Sequence, residues 1–210
     1  MTAEACIPLF PEEEIQSLLH LVLDHAKTLE KKHDTELENH LSIRLYKRIR
    51  RDKRLRDAPF CPNHEFDVLD GEIDDPSISG RIDICFLCPG GDQTYFAIEA
   101  KRLHVTFPSG WASLVSEYVD GDQGMMCFVD GKYAGTQKFG AMLGFVFDGR
   151  LDLARETITE RVAKYRKKLS LKPETHFERS PYSQGDYRID QTQHQLRHRT
   201  FTITHLLVPV

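Results

Sequence analysis

Asp83, Glu99 and Lys101 are the residues of this chain whose types and spacing can do chemistry. Asp83 lies in Gly80-Arg81-Ile82-Asp83-Ile84-Cys85-Phe86-Leu87. Glu99 and Lys101 lie in Tyr95-Phe96-Ala97-Ile98-Glu99-Ala100-Lys101-Arg102-Leu103, after the turn Pro89-Gly90-Gly91-Asp92. Each half reads as a β-strand, and strand side chains alternate between faces. Tyr95, Ala97, Glu99 and Lys101 are therefore expected on one face, with Phe96, Ile98 and Ala100 on the other. On the first strand Asp83 is expected to share a face with Arg81, Cys85 and Leu87, opposite Ile82, Ile84 and Phe86. Two neighbouring strands then gather an aspartate, a glutamate and a lysine beside an apolar sheet, where charges persist only if paired or bound to metal. Asp83 and Glu99 are hard oxygen ligands suited to Mg²⁺ or Mn²⁺, with positions left for water and a phosphate. A metal so held lowers the pKa of bound water and neutralises charge developing on the phosphate. Lys101 can hold or deprotonate that water and stabilise the transition state. The chemistry these residues suit is metal-assisted hydrolysis of a phosphodiester.

At these positions the sequence resembles the PD-(D/E)xK nuclease superfamily, the restriction-endonuclease-like fold. Asp83 and Glu99-Ala100-Lys101 match its acid and its E-x-K strand, although Ile82 stands where a proline often precedes the acid. Superfamily members also place a glutamate on an early helix, in a pattern near E-x-x-[LI]-[ST]-x-x-L. Glu38-Asn39-His40-Leu41-Ser42-Ile43-Arg44-Leu45 fits that pattern. The resemblance spans roughly residues 35 to 105. It implies an αβββαβ core, dependence on a divalent metal, Asp83, Glu99 and Glu38 as metal ligands, and Lys101 as the residue that activates water. Glu36 and Glu65 are the second and third choices for the additional carboxylate. The plainer alternatives are an ordinary hairpin carrying a salt bridge, and Glu38 as the capping partner of Thr35.

The positioning elements are legible from pattern. Pro11 and the acids Glu12, Glu13 and Glu14 mark a helix start, followed by Ile15, Leu18, Leu19, Val22, Ala26 and Leu29 at helical spacing. A second helix is expected from Thr35 with the stripe Leu37, Leu41, Leu45 and Ile49, broken at Phe60-Cys61-Pro62. Strands are expected at Glu65 to Leu69 and at Thr200 to Val208, a helix near Ala112 to Val119, and another from Leu151 to Leu169. Lys138 to Phe147 is apolar but does not separate strand from helix by period. The pattern predicts one α/β domain over residues 1–210 with an N-terminal helical layer, and the resemblance implies that its core is a central mixed sheet flanked by helices.

The 210 residues are 40% hydrophobic and 29% charged, enough to bury a core. No apolar run is long enough to span a bilayer, the N-terminus lacks the order of a signal peptide, and five cysteines show no disulfide framework. A cytoplasmic protein without a membrane partner is expected. Net charge is −4, yet Arg44, Lys47, Arg48, Arg50, Arg51, Lys53, Arg54 and Arg56 cluster, and Arg44, Lys47, Arg48 and Arg51 are the candidates for contact with nucleic acid. DNA is favoured over RNA, with specificity supplied by a homodimer or a protein partner, and the resemblance points to bacterial defence or restriction. The alternative is a non-catalytic nucleic-acid-binding or scaffolding protein that retains the fold. Cys61, His64, Cys85 and Cys88 have the spacing of zinc ligands, but buried thiols are preferred. Gln193-His194 and Arg197-His198-Arg199, just before the final strand, are weighed as phosphate contacts, and Tyr118, Gln123 and Lys132 as cleft residues.

Overall fold

Residues 9–69, 77–89 and 93–210 are described by a computed structural model. The acidic loop expected at 70–76 and residues 90–92 of the turn lie outside them. Pro11 precedes α1 (Glu12–Ala26), whose three N-terminal acids complement the helix dipole. Helix α2 spans Glu38–Ile49 and starts behind Leu37 without a side-chain cap. The expected Thr35–Glu38 capping box does not form, because the Glu38 carboxylate turns to Arg102, 2.9 Å away. Glu36 secures the preceding loop instead, accepting from Lys32 N at 2.6 Å and from Arg44 at 2.9 Å. A 3₁₀ turn (Lys53–Arg56) follows α2.

The strands are β1 (Cys61–Val68), β2 (Gly80–Leu87), β3 (Tyr95–Leu103), β4 (Val105–Phe107), β5 (Gly110–Ala112), β6 (Phe139–Val146), β7 (Glu178–Arg179), β8 (Asp190–Gln195) and β9 (Thr200–Pro209). The remaining helices are α3 (Val115–Val119), α4 (Met126–Val129) and α5 (Leu151–Lys164). β4 and β5 form a separate hairpin, and the other seven strands build one mixed sheet in the order β1-β2-β3-β6-β9-β8-β7. β3, β6 and β9 run parallel, while β1-β2-β3 and β9-β8-β7 are antiparallel. The fold is therefore mixed α/β. Pro62 does not break α2; it sits on the edge strand β1, where a missing N–H is tolerated.

Each sheet face is covered by its own helices. α1 and α2 bring Leu18, Leu19, Leu41, Leu45 and Ile49 onto Phe86, Ile98, Leu143 and Phe145. α3, α4 and α5 bring Tyr118, Phe128, Ile158 and Val162 onto Cys85, Ala97, Met142 and Ile203. This double cover explains the ambiguous run 138–147. It is a strand buried on both faces, as central parallel strands are, so it has no alternation to read. Among the described residues no helix is long and apolar enough to cross a membrane.

The face alternation expected along β2 breaks at Asp83. Ile84 and Phe86 face the α1/α2 layer, but Ile82 packs in the opposite cluster with Val68, Tyr95 and Tyr133. The cause lies on β1, where Glu65 has φ 52° and falls between the pairs His64↔Ile84 and Phe66↔Ile82. His64 accordingly meets Tyr46 of α2, whereas Phe66 meets Tyr95 on the other face.

Gly144 pairs with Lys101 across β3 and β6. A Cβ there would lie 2.6 Å from Leu207 and 2.7 Å from Leu103, and 3.3 Å from Tyr118. Gly144→Val is expected to cost about 1–3 kcal/mol by overpacking, read as a lower urea midpoint; an unchanged midpoint would show that this contact yields freely.

Candidate active site

The site forms where β2 and β3 part. Their ladder runs from Leu87↔Tyr95 to Ile84↔Ile98 and stops one residue short of Asp83. There the Asp83 side chain replaces the backbone partner, its Oδ2 accepting from Ala100 N–H at 2.8 Å. Glu99 and Lys101 follow on β3 with only 4% and 8% of their surface exposed. Lys101 Nζ donates to Glu99 Oε1 at 2.5 Å and to Ala100 O at 3.0 Å. The other carboxylate oxygen, Glu99 Oε2, is buried without a hydrogen-bond partner. Tyr133 stands beside Glu99, but its hydroxyl donates to Arg81 O at 2.6 Å.

Two carboxylates face one ammonium here, so one negative charge stays uncompensated in a poorly solvated place. Burial and the neighbouring Asp83 push the Glu99 carboxyl up to about 8, against the opposing pull of Lys101. Burial likewise raises Asp83, only partly offset by Lys101 and the Ala100 N–H. For Lys101 burial works against the charge, yet Glu99 and Asp83 outweigh it and hold the ammonium above its ordinary value. The pocket calls for a positive partner: a proton, or a cation taking Glu99 Oε2 and an Asp83 oxygen. The orphaned oxygen and the all-oxygen donor pair fit Mg²⁺ or Mn²⁺.

Glu38, at the first turn of α2, lines a cleft of about 410 Å³ together with Lys101. Glu117, Gly121, Asp122 and Gln123 complete its wall. The structure thus brings Glu38 to the same opening as Lys101, though its carboxylate is held by Arg102. Among the described residues, no three His, Cys, Asp or Glu side chains converge closely enough to hold a metal ion. Glu36 is fully engaged with Lys32 and Arg44, and exposed Glu65 accepts from Asn39 at 3.0 Å. Of the residues expected to line a cleft, Gln123 does, and Lys132 steadies the wall through Asp122 O at 3.2 Å. Tyr118 does not; it is fully buried.

Tyr118 instead begins a chain of buried hydrogen bonds. Its hydroxyl lies 3.0 Å from His205 Nδ1, His205 Nε2 lies 3.0 Å from Thr192 Oγ1, and Thr192 Oγ1 lies 2.8 Å from His194 Nε2. His194 Nδ1 ends the chain 2.7 Å from Leu169 O. A carbonyl only accepts, so His194 Nδ1 carries the proton and every other bond takes its direction from that. Burial keeps both imidazoles neutral, pushing His194 down to about 4 and, with His194 adding to it, His205 to about 3. His194, weighed as a phosphate contact, therefore joins His205 in anchoring α3 behind the cleft, while His198 is exposed. The same wall is pinned by Asp120, which pairs with Arg161 of α5. Gly124 permits the turn, because a Cβ would meet Glu117 O at 2.2 Å. Sequence reasoning missed Glu117, Asp122 and Tyr133; the closely spaced Gly121, Gly124, Gly131 and Gly135 are the one local signal that the chain bends back here.

Glu99 rises in the folded state from the ordinary glutamate value of 4.5 to about 8, so the folded protein holds a proton that the unfolded chain has released. The stability this contributes is complete below pH 4.5 and is lost as pH rises through 8. Glu99→Gln should flatten this loss and raise the metal-free Tm at pH 8 by roughly 5 °C; a variant as pH-sensitive as the wild type would place the titration elsewhere. Tyr118→Phe leaves His205 Nδ1 buried and unpaired, and should lower unfolding free energy by about 1–3 kcal/mol in urea titrations. Comparison with protein-family models, curated proteins and solved structures finds no match to this chain.

Proposed function

We propose that this chain is a divalent-metal-dependent nuclease that hydrolyses phosphodiester bonds, with DNA the favoured substrate. The observation that carries this is the buried set of two carboxylates, Asp83 and Glu99, against one ammonium, Lys101, with the orphaned Glu99 Oε2. An ion pair serving stability alone needs one acid per base, and it satisfies both carboxylate oxygens. With the 3₁₀ turn, the β4–β5 hairpin and α4 set aside, the element order α2-β1-β2-β3-α3-β6, with β6 parallel to β3, supports the restriction-endonuclease-like reading.

Asp83 and Glu99 would hold the metal. When bound, it supplies positive charge to the phosphate and lowers the pKa of a coordinated water. Lys101 remains a cation, so its part is that of a donor: it orients water and stabilises charge on the phosphoryl oxygens. The Ala100 N–H fixes Asp83, and Lys101 fixes Glu99, so neither carboxylate has to reorganise. Glu38 faces the same cleft and adds to the negative field felt by Asp83.

One observation favours the non-catalytic reading: Arg102 occupies Glu38, and among the described residues no third ligand stands with Asp83 and Glu99. The two separate in one assay with single- and double-stranded DNA and RNA in Mg²⁺ or Mn²⁺. A nuclease should cleave DNA, lose activity in EDTA, and lose about 10²-fold or more with Asp83→Ala or Lys101→Ala. Cleavage that survives both substitutions would overturn the mechanism; binding without cleavage under every condition would favour the scaffold.

A further inference from the structure

Of the eight cations from Arg44 to Arg56, three are tied down in the fold and five, Lys47, Arg50, Arg51, Lys53 and Arg56, are exposed. Arg44 is tied to Glu36 and to Glu30 O, each at 2.9 Å, and Arg48 donates to Thr28 at 2.6 Å. Arg54 holds Asp52 at 2.8 Å and Asp24 at 2.7 Å. These three fasten α2 and the 3₁₀ turn to α1 and the loop between the helices. Lys47, Arg50, Arg51 and Lys53 are exposed, and among the described residues they make no hydrogen bond or ion pair through their side chains. Lys47, Arg50 and Arg51 fall at helical spacing on one face, opposite the buried Leu41, Leu45 and Ile49. Beyond the last turn, Arg48, Arg51 and Lys53 line an open bowl of about 500 Å³ with His25 and Asp52. Arg54 holds the Asp52 carboxyl well below the usual carboxylate range and answers its charge, which leaves the bowl positive.

The cleft has the opposite character. Glu38, Glu117 and Asp122 line it with Lys101, and since Arg102 answers only Glu38, the cleft stays acidic and repels a polyanion until a metal enters. Affinity for a phosphate backbone must come from elsewhere. Helix α2 joins the two places: Glu38 opens it at the cleft, and the exposed cations close it. Twelve residues at about 1.5 Å each span roughly 18 Å, the length of about five stacked nucleotides at about 3.4 Å per nucleotide.

We propose that Lys47, Arg50, Arg51 and Lys53 form a metal-independent anchoring site for the sugar–phosphate backbone of the strand whose scissile phosphate enters the cleft, about five nucleotides away. This rests on the nuclease reading for the identity of its occupant. The site binds phosphate without reading bases, and it makes short oligonucleotides poor ligands.

The test is fluorescence anisotropy in EDTA with labelled single-stranded DNA of about 4 and about 20 nucleotides, titrated at several salt concentrations. The long strand should bind with a log–log salt slope of about −3, four contacts at about 0.7 each, and the short strand far more weakly. Replacing Lys47, Arg50, Arg51 and Lys53 together by Gln should weaken binding of the long strand at least tenfold (about 10-fold or more) and bring the slope towards zero. Far-UV circular dichroism confirms that the variant is folded. Undiminished binding by the quadruple variant would overturn the proposal. So would equal competition by phosphatidylglycerol vesicles at matched phosphate, which would make the face a lipid-binding one. Loss of binding in this variant, with no cleavage by the wild type in Mg²⁺ or Mn²⁺, would discard the nuclease reading and leave the anchoring site standing.

Discussion

Two buried carboxylates against one buried ammonium is the constraint on which the rest of this molecule turns. Lys101 satisfies one oxygen of Glu99 and leaves Oε2 with nothing. Without a cation the cheapest remedy is a proton, which is why the Glu99 carboxyl rises to about 8 under burial and the nearby Asp83. A protein selected only for stability removes such an imbalance readily, since an apolar replacement of similar volume is often neutral or better. Its presence at the point where two strands part is the strongest physical sign of a site.

The fold sustains this imbalance by over-determining everything around it. Asp83 is fixed by a backbone N–H where the ladder ends, and the left-handed Glu65 opposite turns the β1/β2 pair over at the same point. Gly144 leaves room beside Lys101 for Leu103, Leu207 and Tyr118. Behind the cleft wall, the chain from Tyr118 through His205, Thr192 and His194 ties α3 to the far strands of the sheet. The C-terminal strands therefore bear on the geometry of a site whose central triad, Asp83, Glu99 and Lys101, lies in the first half of the chain.

Charge is distributed along α2 as a gradient with chemical meaning. Its first turn carries Glu38 into an acidic cleft, and its last turn and the 3₁₀ turn beyond carry exposed cations. The arrangement also suits the helix dipole, with the acid at the N-terminus and the cations at the C-terminus. A net charge of −4 hides this polarity, because the sum says nothing about where the charges stand.

The sequence by itself determined the strands of the triad, the helices α1 and α2 with their buried stripes apart from Leu37, which stands exposed at the start of α2, and the shared face of Glu99 and Lys101. These depend on local periodicity, which a single segment carries in full. Tertiary structure alone decided the rest. The face of Ile82 depended on a backbone turn at Glu65, a residue on another strand. The partner of Glu38 was Arg102, sixty-four positions away, rather than the neighbouring Thr35. β8, with the polar sequence Asp190 to Gln195, carries no apolar alternation, since its side chains are buried by hydrogen bonding to one another and to neighbouring elements. Which of the eight basic residues stayed free was likewise settled only when Glu36, Thr28, Asp24 and Asp52 folded against three of them. Spacing along a chain states which residues can share a face; only packing states which charges are left without a partner.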